Sequence, residues 1–411
     1  MRNVDADHKS RLGVEAPEIG ATAVGSAARD RGIKMQRRDF LKAGAAGMAL
    51  TLAQGPSQAQ VQPRADVKGA DAKDTPEDLS VVVIGTDGND LLDSVVDDYL
   101  AAHADVWHFM PNLAKFSQAL EFIDKNPKIV LAKTTSDILA AKRGGKVAMV
   151  IGWQDSAGLT DGNGADWRSS NPPKTKLREY YELGLRTANL TYQLSNQFGG
   201  GMLDPTVPLT VEGRLIVAQM QKLGIVVDVS GHTGVQTALD VIAMAERPVV
   251  ITHGNVRALN KDNPRTSPDA VIEGVARTGG LMGVAALSQF MMWGGKDAAK
   301  AETGPFPAQA SLSRYVDEFD YLKKLVGVDH IALGTDFVTP GSGGGDPAQD
   351  FEYPPEMMSK ANEIEFVDGF GSVSGLNNLR AEMQRRGYTT EEIAKILGGN
   401  WMRVFGQAWN S

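Results

Sequence analysis

The chain has 411 residues, 42% of them apolar, and a formal net charge of −8, enough for a substantial core in one large domain or two. It contains no cysteine, which removes disulfides, thiolate metal sites and cysteine nucleophiles together. Residues 1–59 hold nine basic and six acidic residues, leaving 33 basic and 44 acidic residues and a net charge of −11 in the body. That acidity argues against nucleic acid or an anionic membrane as a partner, and no apolar run is long enough to span a bilayer.

The N-terminal region carries Gln36-Arg37-Arg38-Asp39-Phe40-Leu41-Lys42, then the weakly apolar run Ala43 to Ala53, then Ser57-Gln58-Ala59 with small residues at cleavage positions. This resembles a twin-arginine export signal, although Gln36 stands where such signals prefer Ser or Thr. Met35 directly precedes the motif and is the expected start. The expected organisation is an extension and signal over residues 1–59, a polar linker over 60–77 and one domain over 78–411, in a protein that is periplasmic or secreted.

From residue 79 onward, short β-branched runs recur at Ser80–Gly85, Asp105–Met110, Val147–Trp153, Thr187–Tyr192, Ile225–Ser230, Val249–His253, Leu281–Ala286 and Ile331–Asp336. Stretches of helical period lie between them, such as Arg214–Leu223, Val235–Ala245, Ala270–Arg277 and Ser313–Leu325. Eight such strands alternating with helices predict a parallel sheet closed into a (β/α)8 TIM-type barrel. A doubly wound open sheet is the competing architecture, weakened because the first βα turn, Gly85-Thr-Asp-Gly-Asn, lacks GxGxxG spacing. After the eighth strand, Gly341–Gly345 reads as a lid or connector, since no Lys-Ser/Thr follows it. Extra C-terminal helices come next, the last opening on the capping box Thr389-Thr-Glu-Glu392.

In a barrel of this kind the active site sits at the C-terminal ends of the strands. Those ends form a polar ring of Asp87, Asp90, His108, Gln154, Tyr192, His232, His253 and Asp336, with Ser288 and Gln289 just beyond the seventh strand. Two imidazoles and an aspartate suit zinc or a similar ion, which would activate water and polarise a carbonyl. Asp336 could instead shuttle a proton between water and a leaving amine; spacing leaves both roles open. His108 is either a replacement ligand or a hydrogen-bonded core residue, and His330, at the N-terminal end of the eighth strand, reads as structural. Met291-Met292-Trp293 reads as packing beneath a loop.

Several stretches, in order, are similar to the membrane dipeptidase (renal dipeptidase-like) family. They are Val227-Asp-Val-Ser-Gly-His232, Arg247-Pro-Val-Val-Ile-Thr-His253, Asn263-Pro-Arg265-Thr-Ser-Pro-Asp, Gly327-Val-Asp-His-Ile-Ala-Leu-Gly-Thr-Asp336-Phe and the C-terminal Arg386-to-Phe405 segment. The resemblance implies a barrel of the metal-dependent hydrolase kind and a two-zinc mechanism acting on dipeptides. By position it makes His232 and His253 metal ligands, Arg265 the clamp on the substrate carboxylate and Asp336 the proton handler. Departures cluster on the other metal: Gly88-Asn89-Asp90 lacks the expected histidine and keeps Asp90, Gln154 replaces a bridging glutamate, and Tyr192 replaces a substrate-contacting histidine. Gly231 is an extra glycine before His232. An amide cannot balance two dications as a carboxylate does, so the expectation is one zinc ion, held by His232, His253 and Asp90, with Gln154 and Tyr192 facing substrate. The expected partners are a small peptide or amide substrate and the twin-arginine export machinery, and a homodimer is compatible. The competing function is a barrel that has lost catalysis and serves as a binding or accessory maturation protein.

Overall fold

The computed structural model describes residues 80–110, 113–159, 173–260, 263–291, 309–339 and 366–409; the export signal, the linker, Gly341–Gly345, Met292 and Trp293 lie outside them. Nine strands form among these residues: β1 (Val83–Asp87), β2 (Val106–Phe109), β3 (Ile129–Leu131), β4 (Val147–Trp153), β5 (Leu185–Asn189), β6 (Val226–Asp228), β7 (Val249–Gly254), β8 (Met282–Val284) and β9 (Ile331–Leu333). All pair in parallel in the order β1-β2-β4-β5-β6-β7-β8-β9. The ring closes where Asp87 bridges Phe337 and the Asp336 amide donates to Thr86 O at 2.7 Å. The eight expected strands thus build the barrel. The additional β3 pairs with the N-terminal half of β4, through Ile129–Val147 to Leu131–Met149, while β5 pairs with the C-terminal half.

The period of two along each strand divides the core into two layers. Val83, Val106, Ala148, Val150, Val226, Val250 and Ala332 share one cluster. Their neighbours Ile84, Trp107, Met149, Ile151, Val227, Ile251 and Leu333 belong to the other, with residues of the surrounding helices. Those helices are α1 (Asp93–Ala101), α2 (Leu113–Lys125), α3 (Thr135–Arg143), α4 (Pro173–Leu183), α5 (Val211–Leu223), α6 (Val235–Ala243), α7 (Asp269–Arg277), α8 (Ser288–Met291) and α9 (Leu312–Val326). Their starts follow cap chemistry: Thr134, Thr210 and Ser311 each accept an amide of the first turn, which satisfies a donor the helix itself cannot.

Three C-terminal helices follow, α10 (Leu376–Arg385), α11 (Thr390–Ala394) and α12 (Asn400–Ala408). The expected capping box forms, with Thr389 and Glu392 each accepting the other's amide. Between α11 and α12 a wide turn, Lys395–Gly399, brings Gly398 against the entry of β1. A Cβ there would lie 1.9 Å from Val81 O, so only glycine permits the approach. α12 then sends Trp401 and Phe405 into the inner core layer. Trp401 Nε1 donates to Leu333 O at 2.9 Å and Asn400 Nδ2 to Ile331 O at 2.8 Å. The N-terminal end of the barrel is plugged, and the polar strand ends gather at the other.

Candidate active site

Side-chain oxygens end the central strands. The Asn189 side-chain oxygen accepts the Leu190 amide at 2.7 Å, terminating β5 and leaving Tyr192 in the following loop. Asp228 does the same for β6, accepting the Ser230 amide at 2.9 Å. The two ends are joined where Asn189 Nδ2 donates to Ser230 Oγ at 3.0 Å and Thr233 Oγ1 donates to Asn189 Oδ1 at 2.7 Å. His232 is fixed between them: its carbonyl accepts the Met202 amide at 2.9 Å, and Tyr192 stacks on its ring at 4.1 Å with planes 24° apart.

The geometry orients His253 through β7. Burial pushes the Asp228 carboxyl up to about 6, against which its hydrogen bonds to Thr252 and Ser230 pull. It accepts the Thr252 hydroxyl at 2.7 Å, and the same hydroxyl lies 2.8 Å from His253 Nδ1. A hydroxyl has one proton to give, so Nδ1 of His253 is the donor in that pair and its Nε2 carries the lone pair. His253 Nε2 lies 3.0 Å from His232 Nε2. His232 Nε2 accepts in its turn from Arg265 Nη2 at 2.9 Å, since a guanidinium cannot accept. Two imidazole lone pairs therefore converge on one vertex beside a guanidinium. Burial holds both imidazoles well below the ordinary histidine range, and the nearby Arg265 charge adds to this; both are neutral.

Arg265 is held from behind. Its amide donates to Asn263 Oδ1 at 2.9 Å, Asn263 Nδ2 donates to Phe290 O at 3.1 Å, and the guanidinium lies 5.0 Å over the Phe290 ring. Gly231 makes the room. A Cβ on it would fall 1.9 Å from Arg265 O and 2.0 Å from Arg265 Nη1. Arg265 is 1% exposed, and its Nε and Nη1 have no hydrogen-bond partner among the described residues.

Asp336 follows β9 with φ 58°, a left-handed conformation that aspartate tolerates better than most residues. It is imposed by closure of the barrel, where Thr86, itself at φ 44°, accepts the Asp336 amide. Such backbone strain persists where the surrounding structure over-determines it, and it clusters at functional sites. Burial pushes the Asp336 carboxyl up to about 6, and the Arg265 charge pulls it partly back. Gln154 is half-buried just past β4.

The structure thus brings His232, His253, Arg265 and Tyr192 together, with Asp336 in the field of Arg265. It does not bring Asp90 to the imidazoles. Among the described residues no three His, Asp or Glu side chains group closely enough to hold a metal ion. The backbone of this segment is tied to the barrel closure, where the Asp90 amide donates to Thr339 Oγ1 at 3.0 Å and the Gly88 amide to Phe337 O. His108 is a core residue: its Nε2 is 3.1 Å from Thr187 Oγ1 and its ring packs edge-on against Trp401 and Phe405. His330 is structural, donating from Nδ1 to Gly280 O at 2.7 Å. Sequence reasoning missed Asn189, Asp228 and Thr252 as the frame of the site. The available signal was an aspartate within the β-branched run Ile225–Ser230, since a charge in a buried strand needs a satisfied network.

The donor set fits a zinc ion poorly. A catalytic zinc takes three protein ligands, whereas two nitrogens converge here, one of them already accepting from a guanidinium. A divalent ion ~4 Å from that guanidinium would be repelled by about 8 kcal/mol at an effective dielectric of ~20. Gln154 supplies no negative charge to offset it.

The site is set on an eight-stranded parallel barrel, with His232 beyond β6, His253 in the last residues of β7 and Asp336 beyond β9. An amidohydrolase from Pseudomonas aeruginosa shares the fold at TM-score 0.66, with 22% identity over 80% of this chain and 97% of that one. A model of the membrane dipeptidase family (peptidase family M19) matches residues 88–357 and 362–411, and the chain belongs to that hydrolase family. A relative from Klebsiella pneumoniae, an uncharacterized protein in the pqqA 5′ region, is 27% identical over 271 residues, 64% of this chain and 83% of its own. The dipeptidase aclJ of Aspergillus oryzae is 28% identical over 234 residues, 56% of this chain and 47% of its own. The chain therefore spans about half the length of that dipeptidase.

Proposed function

We propose that the chain is a dipeptidase-like hydrolase for a dipeptide or small amide that carries a free carboxylate. The observation that carries this is Arg265. A guanidinium 1% exposed, with two nitrogens unpaired and no carboxylate hydrogen-bonded to it among the described residues, has unmet donors that a ligand can satisfy; Asp336 acts on it only through its field. A carboxylate supplies it with charge-assisted hydrogen bonds. Asp336, ionised above about pH 6, takes a proton from the attacking water and returns it to the leaving amine. His232 and His253, neutral, border the same space.

The expected result is that Asp336→Asn lowers turnover by about 10²–10⁴-fold, the range for a lost general acid–base. In the wild type, kcat/KM rises with pH through an apparent pKa near 6, because the ionised carboxylate is the form that accepts the proton. Wild-type rates in Asp336→Asn on a dipeptide panel would remove this residue from the chemistry.

A second reading, binding without turnover, is favoured by the guanidinium beside the imidazoles and by Gln154 in place of a carboxylate. It predicts that panel members stabilise the chain without being cleaved. We further propose export, on the Arg37-Arg38 signal alone. Replacing both arginines with lysine should hold a full-length reporter fusion in the cytoplasm, and unchanged export would refute the route.

A further inference from the structure

We infer that the guanidinium of Arg265, and not a divalent metal ion, is the resident cation where His232 and His253 meet. Two imidazole lone pairs 3.0 Å apart repel unless a positive group lies against them, so the vertex needs a cation. Arg265 Nη2, 2.9 Å from His232 Nε2, supplies it. Three independent features hold the guanidinium there. Asn263 fixes the Arg265 backbone, Phe290 lies under the guanidinium plane, and Gly231 vacates the volume that the arginine occupies.

The rest of the rim agrees. Tyr192 covers one face of the His232 ring, Asp90 lies outside the group, and the residue after β4 is the neutral Gln154. A lone-pair vertex without an anionic ligand suits a delocalised, weakly hydrated guanidinium better than a strongly hydrated dication. The chain thus departs from its family's metal chemistry by substitution: the clamp arginine has moved into the metal's place. This holds whether or not the proposed hydrolysis occurs, because occupancy of the vertex is measured without turnover.

The test is zinc content and zinc affinity of the full chain, purified and then dialysed against chelator and against zinc. Wild type should carry far less than stoichiometric zinc under both conditions, with a melting temperature unchanged by chelator. Arg265→Met should bind zinc at least roughly tenfold more tightly, because removal of the like charge frees both imidazoles; Arg265→Gln, which keeps a polar head in the space, provides the same test should the methionine variant fail to fold. Stoichiometric zinc in wild type that is lost in His253→Ala would overturn the inference. So would arginine variants that fold and gain no zinc affinity.

Discussion

Arg265→Met is expected to weaken binding of carboxylate-bearing dipeptides by about 10²–10⁴-fold, since two hydrogen bonds to a charged group contribute roughly 1.5–3 kcal/mol each. Folding stability should hold or rise in the same variant. The guanidinium is buried, with Nε and Nη1 unpaired, and removing it relieves a desolvation cost that offsets the lost attraction to Asp336. Methionine keeps much of the volume over Phe290 and tolerates irregular packing. Loss of affinity without loss of stability separates a ligand-binding arginine from a structural one. Calorimetric titration with a dipeptide and with its C-terminal amide provides the reading. Wild type should discriminate strongly between them and Arg265→Met should not. Equal affinity of wild type for the acid and the amide would remove Arg265 as the carboxylate site.

Gly231→Ala carries the second large effect. The new Cβ would meet the Arg265 carbonyl oxygen at 1.9 Å and Nη1 at 2.0 Å, and the backbone oxygen cannot rotate away as a flexible side chain could. Either the turn carrying His232 or the loop carrying Arg265 must shift. Both are anchored, the first through Met202 and Asn189 and the second through Asn263. A cost of about 3 kcal/mol or more is expected, the size associated with forced repacking of a buried site, together with a weakened response to carboxylate ligands. Thermal unfolding with and without dipeptide measures both. A melting temperature within a degree of wild type, with ligand stabilisation intact, would show that the approach of Arg265 to Gly231 is not required.

Most of the barrel was legible in the sequence because each strand is a β-branched run bounded by polar residues, and the strand ends then named the rim. β3 was not, because Ile129–Leu131 is three residues long and pairs only half of β4. Strand termini came out too long at Tyr192 and Ser230, where Asn189 and Asp228 stop the ladder with their own side chains. The rim residues His232, His253, Arg265 and Asp336 could be named from position, yet their relations could not. That Arg265 reaches His232 depends on a loop fold set by Asn263 and on space left by Gly231, neither of which has a period to read. Asp90 was named with the imidazoles from position alone, and among the described residues no such three-group cluster forms; adjacency on a rim does not fix side-chain direction.

The occupant of the vertex is the central claim, and a crystal structure of the zinc-exposed chain with a bound dipeptide, collected on both sides of the zinc absorption edge, tests it most directly. The expected result is a ligand carboxylate within hydrogen-bond distance of Arg265, the guanidinium still on His232, and no anomalous peak between His232 and His253. An anomalous peak ligated by both imidazoles, with Arg265 swung away from them, would contradict it.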